Sequence, residues 1–590
     1  MRSFYIIILS LAGSLTITYL VSAYKSVSAS YLGIFSLILM IALCSLYRRT
    51  LESRNNWKKY LILSSLLSIS TVGGIFIDSD GSLENFEIVQ LIKFNILCAC
   101  LIPAFYCLLQ SLSEIITWMA AKDIKFRIVR APINRFWHWL LIMTGILLCW
   151  TPVWLAYYPG IWNYDAGQVW QVVNGKYEAE HPIIHTLIMG SCFNIGYLKG
   201  NSNLGVVIYD WVQMIILASI LSYSILFIRR KSQNNVLCFL TFIFYSLFPI
   251  NSVLAISSTK DILFSALVLL YTMLSVQYSD CVRNEENKKH RTRLTIGLLI
   301  TTTVMLLFRN NASYAFAGFL CIALIFTLRR KISWKTFVLI LACMLLYIGC
   351  NTGLLLGLHA KKSSITEALS VPAQQFGRIY YSGKADEATK ELIGEYCDPK
   401  TMSYDPHLSD SMKSRQSLYR INTWKDVAPL IGTSLQLFIR YPAISIDSFL
   451  YLTEGWWYLG DTSCANIYGY VPGSHLGYFE TGVMDGFGII QDSKLPGLET
   501  LFEHAFIENS YQQWPLLSLL FAPALYIWLF VFLFISLKGD DKFLFIFHCF
   551  FLATVLLGPC CLVRYVYPFV LMIPVMLVLV VSERKLTVAS

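Results

Sequence analysis

The sequence predicts an all-α polytopic membrane protein, and three observations carry that prediction. The chain of 590 residues is 56% hydrophobic and 14% charged, with a mean hydropathy of +0.58, whereas a soluble domain is roughly a quarter charged. Its apolar residues run continuously instead of alternating, in stretches close to the ~20 residues that a helix needs to cross a bilayer. Its Lys and Arg gather in alternate short loops between those stretches, which is the signal that orients spans. Continuous runs exclude a β-barrel. The net charge of +10 is thereby a topology signal, so the expected partner is the lipid bilayer and no nucleic acid is expected.

Phe4–Tyr24 reads as the first span, a retained anchor and not a cleaved leader. Tyr31–Tyr47 ends at Arg48, Arg49, Arg54, Lys58 and Lys59, an inner loop. Tyr60–Ile77 leads out to Asp78, Asp80, Glu84 and Glu87, and a span within Ile88–Ala120 returns to Lys122, Lys125, Arg127, Arg130 and Arg135. The fifth span, Phe136–Ala156, delivers the next loop to the outer face. Ile183–Leu198 is shorter than a span, and counting it as one would put Arg229, Arg230 and Lys231 outside, so it reads as an interfacial helix. Further spans are expected at Leu204–Ile228, Val236–Leu254, Ile262–Gln277, Leu294–Phe308, Ser313–Leu328, Thr336–Leu356, Trp514–Leu537, Phe543–Leu557 and Tyr567–Val581. The total is about fourteen, with both termini cytoplasmic.

Four regions follow. Residues 1–135 form a module of four spans, 136–357 a catalytic transmembrane core whose first outer loop is 157–203, 358–513 an extracytoplasmic domain, and 514–590 the closing spans. Within the outer domain, Ala385–Tyr396 and Trp424–Trp457 have apolar residues at helical spacing. The Gly-rich, aromatic part with Tyr468, Tyr470, Tyr478, Phe479 and Phe487 reads as an irregular lid. Most of the sixteen cysteines fall inside spans; Cys397 and Cys464 lie in the outer domain, where a disulfide is open to them. No Cys/His zinc pattern and no glycine-rich phosphate loop occurs.

The richest polar chemistry lies in the first outer loop, Tyr157–Gly190, with Asp165 after an aromatic turn, a short amphipathic helix Ala166–Asn174, then Glu178, Glu180 and a His181-Pro182 step. Other polar groups collect at the outer mouths of spans. Ser257, Ser258, Thr259, Lys260 and Asp261 precede an apolar helix, where free N–H groups and a cation favour an anion. Arg309, Asn310 and Asn311 form the next outer turn, and Arg564 with Tyr565 the last. Three cations facing one carboxylate at headgroup depth suit a substrate with a phosphate and a hydroxyl to be activated.

Each residue also has a plainer reading. Asp165 fits a helix cap, and His181 with His185, at i and i+4, fit a cap, packing or a metal. Lys260 fits a snorkelling anchor, Arg309 and Arg564 lipid headgroup contacts, and Trp456, Trp457 and Tyr458 an aromatic belt as well as a sugar platform.

The order of span, Tyr164-Asp165, His181-Pro182 opening a juxtamembrane helix, and a span toward Arg229-Arg230 resembles the GT-C superfamily of integral-membrane glycosyltransferases. It is similar to the protein-mannosyltransferase and aminoarabinose-transferase branches. The elements Thr259-Lys260-Asp261-Ile262-Leu263-Phe264, Ser370-Val371-Pro372-Ala373-Gln374-Gln375 and Val563-Arg564-Tyr565-Val566-Tyr567-Pro568 look like those of bacterial GT-C-like proteins of unknown function. The likeness covers roughly Phe136 to the C-terminus. It implies a bacterial plasma-membrane enzyme that takes a sugar from a polyprenyl-phosphate carrier and transfers it, with inversion, to a glycan, lipid or protein of the cell envelope on the outer face. Asp165 is then the general base and Lys260, Arg309 and Arg564 hold the donor phosphate. Tyr164, Gln168, His181, His185, Asp261, Asn310, Gln374, Trp456 and Tyr565 are candidates for substrate binding. The branch with two adjacent acids is not matched, since Tyr164 and Ala166 flank Asp165; a second acid would be Glu178, Glu180 or Asp261. Some superfamily members use a divalent metal, Mg or Mn, for which Asp165, Glu180 and His181 are the candidate ligands.

Three other classes compete. A transporter or lipid-linked glycan flippase would show ionisable groups near span centres and related halves, whereas these spans read as nearly free of central charges and without visible symmetry. A polysaccharide polymerase or ligase would use the same lipid carriers with outer-loop arginines, and a non-catalytic membrane scaffold would not need Asp165.

Overall fold

The computed structural model describes the chain except residues 1, 25–28, 51–56, 81, 84–85, 122–134, 286, 461–485, 509, 514 and 590. Among the described residues it is helical throughout, with isolated β-bridges and no strand. The first helices are α1 (Arg2–Tyr24), α2 (Ala29–Thr50), α3 (Trp57–Asp80), α4 (Ile88–Ala121) and α5 (Arg135–Ala156). After a 3₁₀ turn at Tyr164–Val169 come α6 (Trp170–Asn174), α7 (Ile183–Tyr197), α8 (Ser202–Ser232), α9 (Asn235–Leu247), α10 (Pro249–Ala255), α11 (Lys260–Arg283), α12 (Lys288–Leu307), α13 (Asn310–Leu328) and α14 (Trp334–Gly357). The chain then forms α15 (Ser370–Tyr381), α16 (Glu387–Gly394), α17 (Asp410–Lys413), α18 (Trp424–Arg440), α19 (Pro442–Trp457) and α20 (Pro496–Phe506). It closes with α21 (Pro515–Phe521), α22 (Pro523–Ser536), α23 (Ile546–Leu556) and α24 (Val563–Ala589).

Ten of these helices are long and apolar enough to cross a membrane, and α9 with α10 makes an eleventh if that pair, bent by 51°, counts as one span. The bend falls at Pro249, which starts a new helix because its ring cannot continue the old one. The other three expected spans form helices of a different kind. α12 spends its first two turns on Lys288, Lys289, Arg291 and Arg293, the run 514–537 is split into α21 and α22, and 543–557 is a 3₁₀ segment followed by the 11-residue α23. α7, at 15 residues, is a short apolar helix as expected.

α8, α11 and α24 pack on one another and are the most deeply buried of the long helices. They carry the largest apolar cluster, which includes Leu221, Leu269, Val570 and Met576. α7 lies tightly on α8 because Gly196 and Gly205 leave no side chain between them; a Cβ on Gly196 would come within 2.3 Å of the Gly205 nitrogen. α1–α4 attach at both ends of the α3–α4 pair. Asp447 of α19 accepts from Ser82 Oγ and from Leu83 N at 3.0 Å, Tyr451 Oη donates to Ile77 O at 2.9 Å, and near the far end Arg584 donates to Ser113 O and Thr117 Oγ1.

The helices between 358 and 513 have their own small core of Leu369, Phe376, Ile393, Met412, Leu430 and Leu437. The expected helix over Trp424–Trp457 is two helices parted at Tyr441-Pro442, and that over Ala385–Tyr396 is α16. Cys397 is buried, and burial pushes its thiol up to about 12. Cys464, Tyr468, Tyr470, Tyr478 and Phe479 lie outside the described residues.

Candidate functional site

Two short segments build the site by lying side by side. Ile161 N donates to Ile256 O and Ser258 N donates to Ile161 O, both at 2.9 Å. This two-bond ladder sets the loop after α5 against the turn before α11. Gly160 lets the same loop lie against α8: its φ is +153°, and a Cβ there would fall 1.8 Å from Asp210 Oδ2. Asp165 follows in the 3₁₀ turn, while Thr259 caps α11 and puts Lys260 and Asp261 in its first turn. Arg309 is the N-cap of α13, and Arg564 is the second residue of α24. The 3₁₀ turn and the N-terminal ends of three helices thus converge on one small volume.

Within that volume the charges form a connected cluster. Asp165 Oδ2 receives Lys260 Nζ at 3.0 Å and Arg564 Nη1 at 3.3 Å. Arg564 reaches with its Nε to 3.4 Å from Asp261 Oδ2, and Arg309 Nη1 pairs with the other Asp261 oxygen. Arg309 also donates to Asn311 Oδ1 at 2.9 Å, and its guanidinium stacks 4.6 Å from the Tyr565 ring centre. Asp261 is fully buried, and Asp165, Arg309 and Arg564 are nearly so. Asp165 does not cap a helix: Asn163 holds the cap position and Val169 precedes α6. The carboxylate is turned to the cations instead.

Lys260 Nζ lies 3.0 Å from His181 Nδ1 as well. An ammonium has donors and no lone pair, so Nδ1 accepts and the ring proton sits on Nε2. Burial, then the charge of Lys260, push the His181 imidazole down to about 4 despite the nearby Asp165. Burial alone would raise the Asp165 carboxyl, but Lys260 and Arg564 outweigh it and hold the group well below the usual carboxylate range.

A second hydrogen-bonded chain, which the sequence reading missed, backs the site. Gln213 Nε2 donates to Ala255 O at 3.0 Å and Ser257 O at 2.8 Å, so its oxygen faces Tyr209, whose hydroxyl donates to it at 2.8 Å. Tyr209 Oη then has a lone pair for His185 Nε2–H, 2.8 Å away. His185 is therefore a buried strut between α7 and α8, and the chain fixes the turn that carries Lys260. The signal available in the sequence was Tyr209, Asp210 and Gln213 at i, i+1 and i+4 inside an apolar span. Asp210 is fully buried, and neither of its oxygens has a hydrogen-bond partner among the described residues.

The remaining candidates divide. Asn310 Nδ2 holds the 179–180 backbone, at 3.4 Å from Ala179 O. Gln374 is buried and donates to Asp405 O and Pro406 O, steadying a loop whose Leu408, like Tyr565, packs against Cys560 and Leu562 and whose Ser409 N bonds Pro559 O. Gln168 pairs with Gln171. The Tyr164 side chain is outside the described ones. Trp456 is buried in the bundle core at 2% exposure, so its ring offers no face to a sugar, and Tyr458 is packed against Gly74. Glu178 pairs with Lys361 at the surface, and Glu180 is exposed. Among the described residues no three His, Cys, Asp or Glu side chains converge as a metal-ligand set. Lys260 Nζ stands between Asp165 and His181 where a cation would bind, so these residues as arranged do not fit Mg or Mn.

Residues 174–590 match the sequence family described as DUF6020, a family of unknown function. The chain belongs to that family. His181, Lys260, Asp261, Arg309 and Arg564 fall inside the DUF6020 match, and Asp165 lies ahead of it. No curated protein and no solved structure matches the chain.

Proposed function

We propose that this DUF6020 protein is a membrane glycosyltransferase of GT-C type, which moves a sugar from a polyprenyl-phosphate donor to an envelope acceptor at the outer face of a bacterial plasma membrane. The observation that supports it most is a charge count. Among the ion pairs of the described residues, three cations, Lys260, Arg309 and Arg564, meet two carboxylates, Asp165 and Asp261, a surplus of one positive charge within the cluster. Such a charge is costly unless an anion joins it, and a phosphate diester is the anion that the resemblance implies.

On this reading the donor phosphate competes with Asp165 for Lys260 and Arg564. Both cations sit on one oxygen, Oδ2. While they stay there Asp165 is a poor base; as they turn to the phosphate, its proton affinity rises. The acceptor O–H then gives its proton to the Asp165 carboxylate as its oxygen bonds to the anomeric carbon. The bond from that carbon to the phosphate oxygen breaks, its electron pair leaving with the phosphate, and the sugar is inverted. Stabilising that leaving charge is the work of the three cations, and His181 offers a neutral Nε2–H donor beside them.

A second reading, transport or flipping of a lipid-linked glycan, draws on Asp210, a buried carboxyl in a long apolar helix. The test compares wild type with Asp165→Asn in purified membranes given a panel of radiolabelled polyprenyl-phosphate sugars and crude envelope acceptor. Transfer by wild type and a loss of ~10²-fold or more in a folded variant is the expected result. Transfer that survives in the variant removes Asp165 as the base. No transfer by wild type with any donor turns the question to uptake by the same membranes.

A further inference from the structure

α18 carries its apolar side chains on both faces. Leu430, Thr433 and Leu437 turn inward to the small core between 358 and 513. On the opposite side Trp424 (65% exposed), Ile431 (39%), Leu435 (60%), Phe438 (44%) and Ile439 (80%) are left uncovered by the described residues. Their spacing puts them in one stripe along the helix. α19 adds exposed Ile446 and Phe449. An apolar strip of this length along a helix outside the candidate spans is the kind of patch that marks a binding surface.

The position of α19 says what covers the strip. The Tyr458 ring that ends α19 lies against Gly74, six positions before the last residue of α3. Tyr451 is bonded to Ile77 O of the same helix, and Trp528 of α22 donates to Trp457 O at 2.9 Å. α19 is therefore set into the end of the spanning bundle, not held above it. Around that end the lipid-facing surface continues with Ile88 and Val89, which open α4 at 76% and 71% exposure. At its two ends α18 has Trp424 and the Arg440-Tyr441 pair, side chains suited to the headgroup layer.

We propose that α18 lies flat on the bilayer, with its Trp424–Ile439 face sunk among the acyl chains of the leaflet on the domain's side. The region between 358 and 513 is then a monotopic attachment as well as a domain joined to spans. This holds the loop at 405–409, and with it the contact of Leu408 with Cys560 and Leu562, at a fixed height above the membrane.

The test introduces the photo-crosslinking residue p-benzoylphenylalanine in place of Leu435 or of Ile439 in the full chain. The protein is reconstituted in nanodiscs of phosphatidylethanolamine and phosphatidylglycerol, irradiated, and read by mass spectrometry. Leu141 of α5, 73% exposed in a span, is the lipid-facing control, and exposed Lys400 is the water-facing one. Lipid adducts at positions 435 and 439 should approach the yield at 141 and exceed that at 400 about tenfold. Yields no higher than at 400 overturn the proposal. Crosslinks to a second copy of the chain in place of lipid also overturn it and make the strip a dimer contact.

Discussion

Lys260 Nζ donates to His181 Nδ1 across 3.0 Å; this contact sets the tautomer of the imidazole, and burial, with the charge of Lys260 second, keeps the ring neutral. The folded pKa of His181, about 4, lies below the ordinary ~6.5. The folded state therefore binds fewer protons than the unfolded state between these values. The stability that a neutral His181 contributes is complete above pH ~6.5 and is lost as pH falls toward 4. Asp165, held below its ordinary range, stays ionised through that window and yields only in stronger acid. The melting temperature in detergent should fall between pH 7 and 4.5, and His181→Gln, which keeps an acceptor for Lys260 without titrating, should flatten the slope. Equal slopes in the two proteins would sink this account.

Lys260→Met removes one of the two cations on Asp165 Oδ2. Asp165 keeps Arg564 at 3.3 Å, so the loss should stay below the ~3 kcal/mol of a fully orphaned buried charge. In the double variant with Asp165→Asn both members of the contact are gone, so the combined loss should be smaller than the sum of the single losses by ~0.5–3 kcal/mol. Denaturant titrations of the four proteins measure this coupling, and additive losses would mean that the two side chains do not depend on each other.

Gly160→Ala should destabilise the loop by about 1–3 kcal/mol, because the new methyl group meets the Asp210 carboxyl. Asp210→Ala removes the clash but not the strain of a positive φ on an L residue. The double variant is expected to regain part of the melting temperature, and full recovery would show that backbone strain contributes nothing.

The membrane class and most helices were legible in the sequence because each long apolar run is a local property. The exceptions are local too: Pro249 breaks one run, and the basic start of α12 leaves its apolar part short. The charged members of the site were legible for a different reason. Lys260, Arg309 and Arg564 sit at the mouths of spans, where a charge is conspicuous against apolar neighbours. What the sequence does not carry is the pairing. Ile161 meets Ile256 through backbone bonds that no side chain announces, and only that ladder brings Asp165 to Lys260. Trp456 reads in the sequence as an aromatic belt as well as a sugar platform, because an aromatic at a helix end looks the same whether it faces solvent or, as here, the core.

The ladder also bears on where this protein can be divided. The family match starts at residue 174, so Ile161 and Asp165 fall on one side of that boundary while Ile256, Ser258 and Lys260 fall on the other. A chain trimmed to the matched residues would keep three cations and lose one of their two carboxylates, setting Lys260, Arg309 and Arg564 against Asp261 alone where the helix ends meet. Its turn at 256–258 would also lose its backbone partner. The span of sequence shared with relatives and the smallest piece that is electrically self-contained are different objects, and expression work on this chain should respect the second.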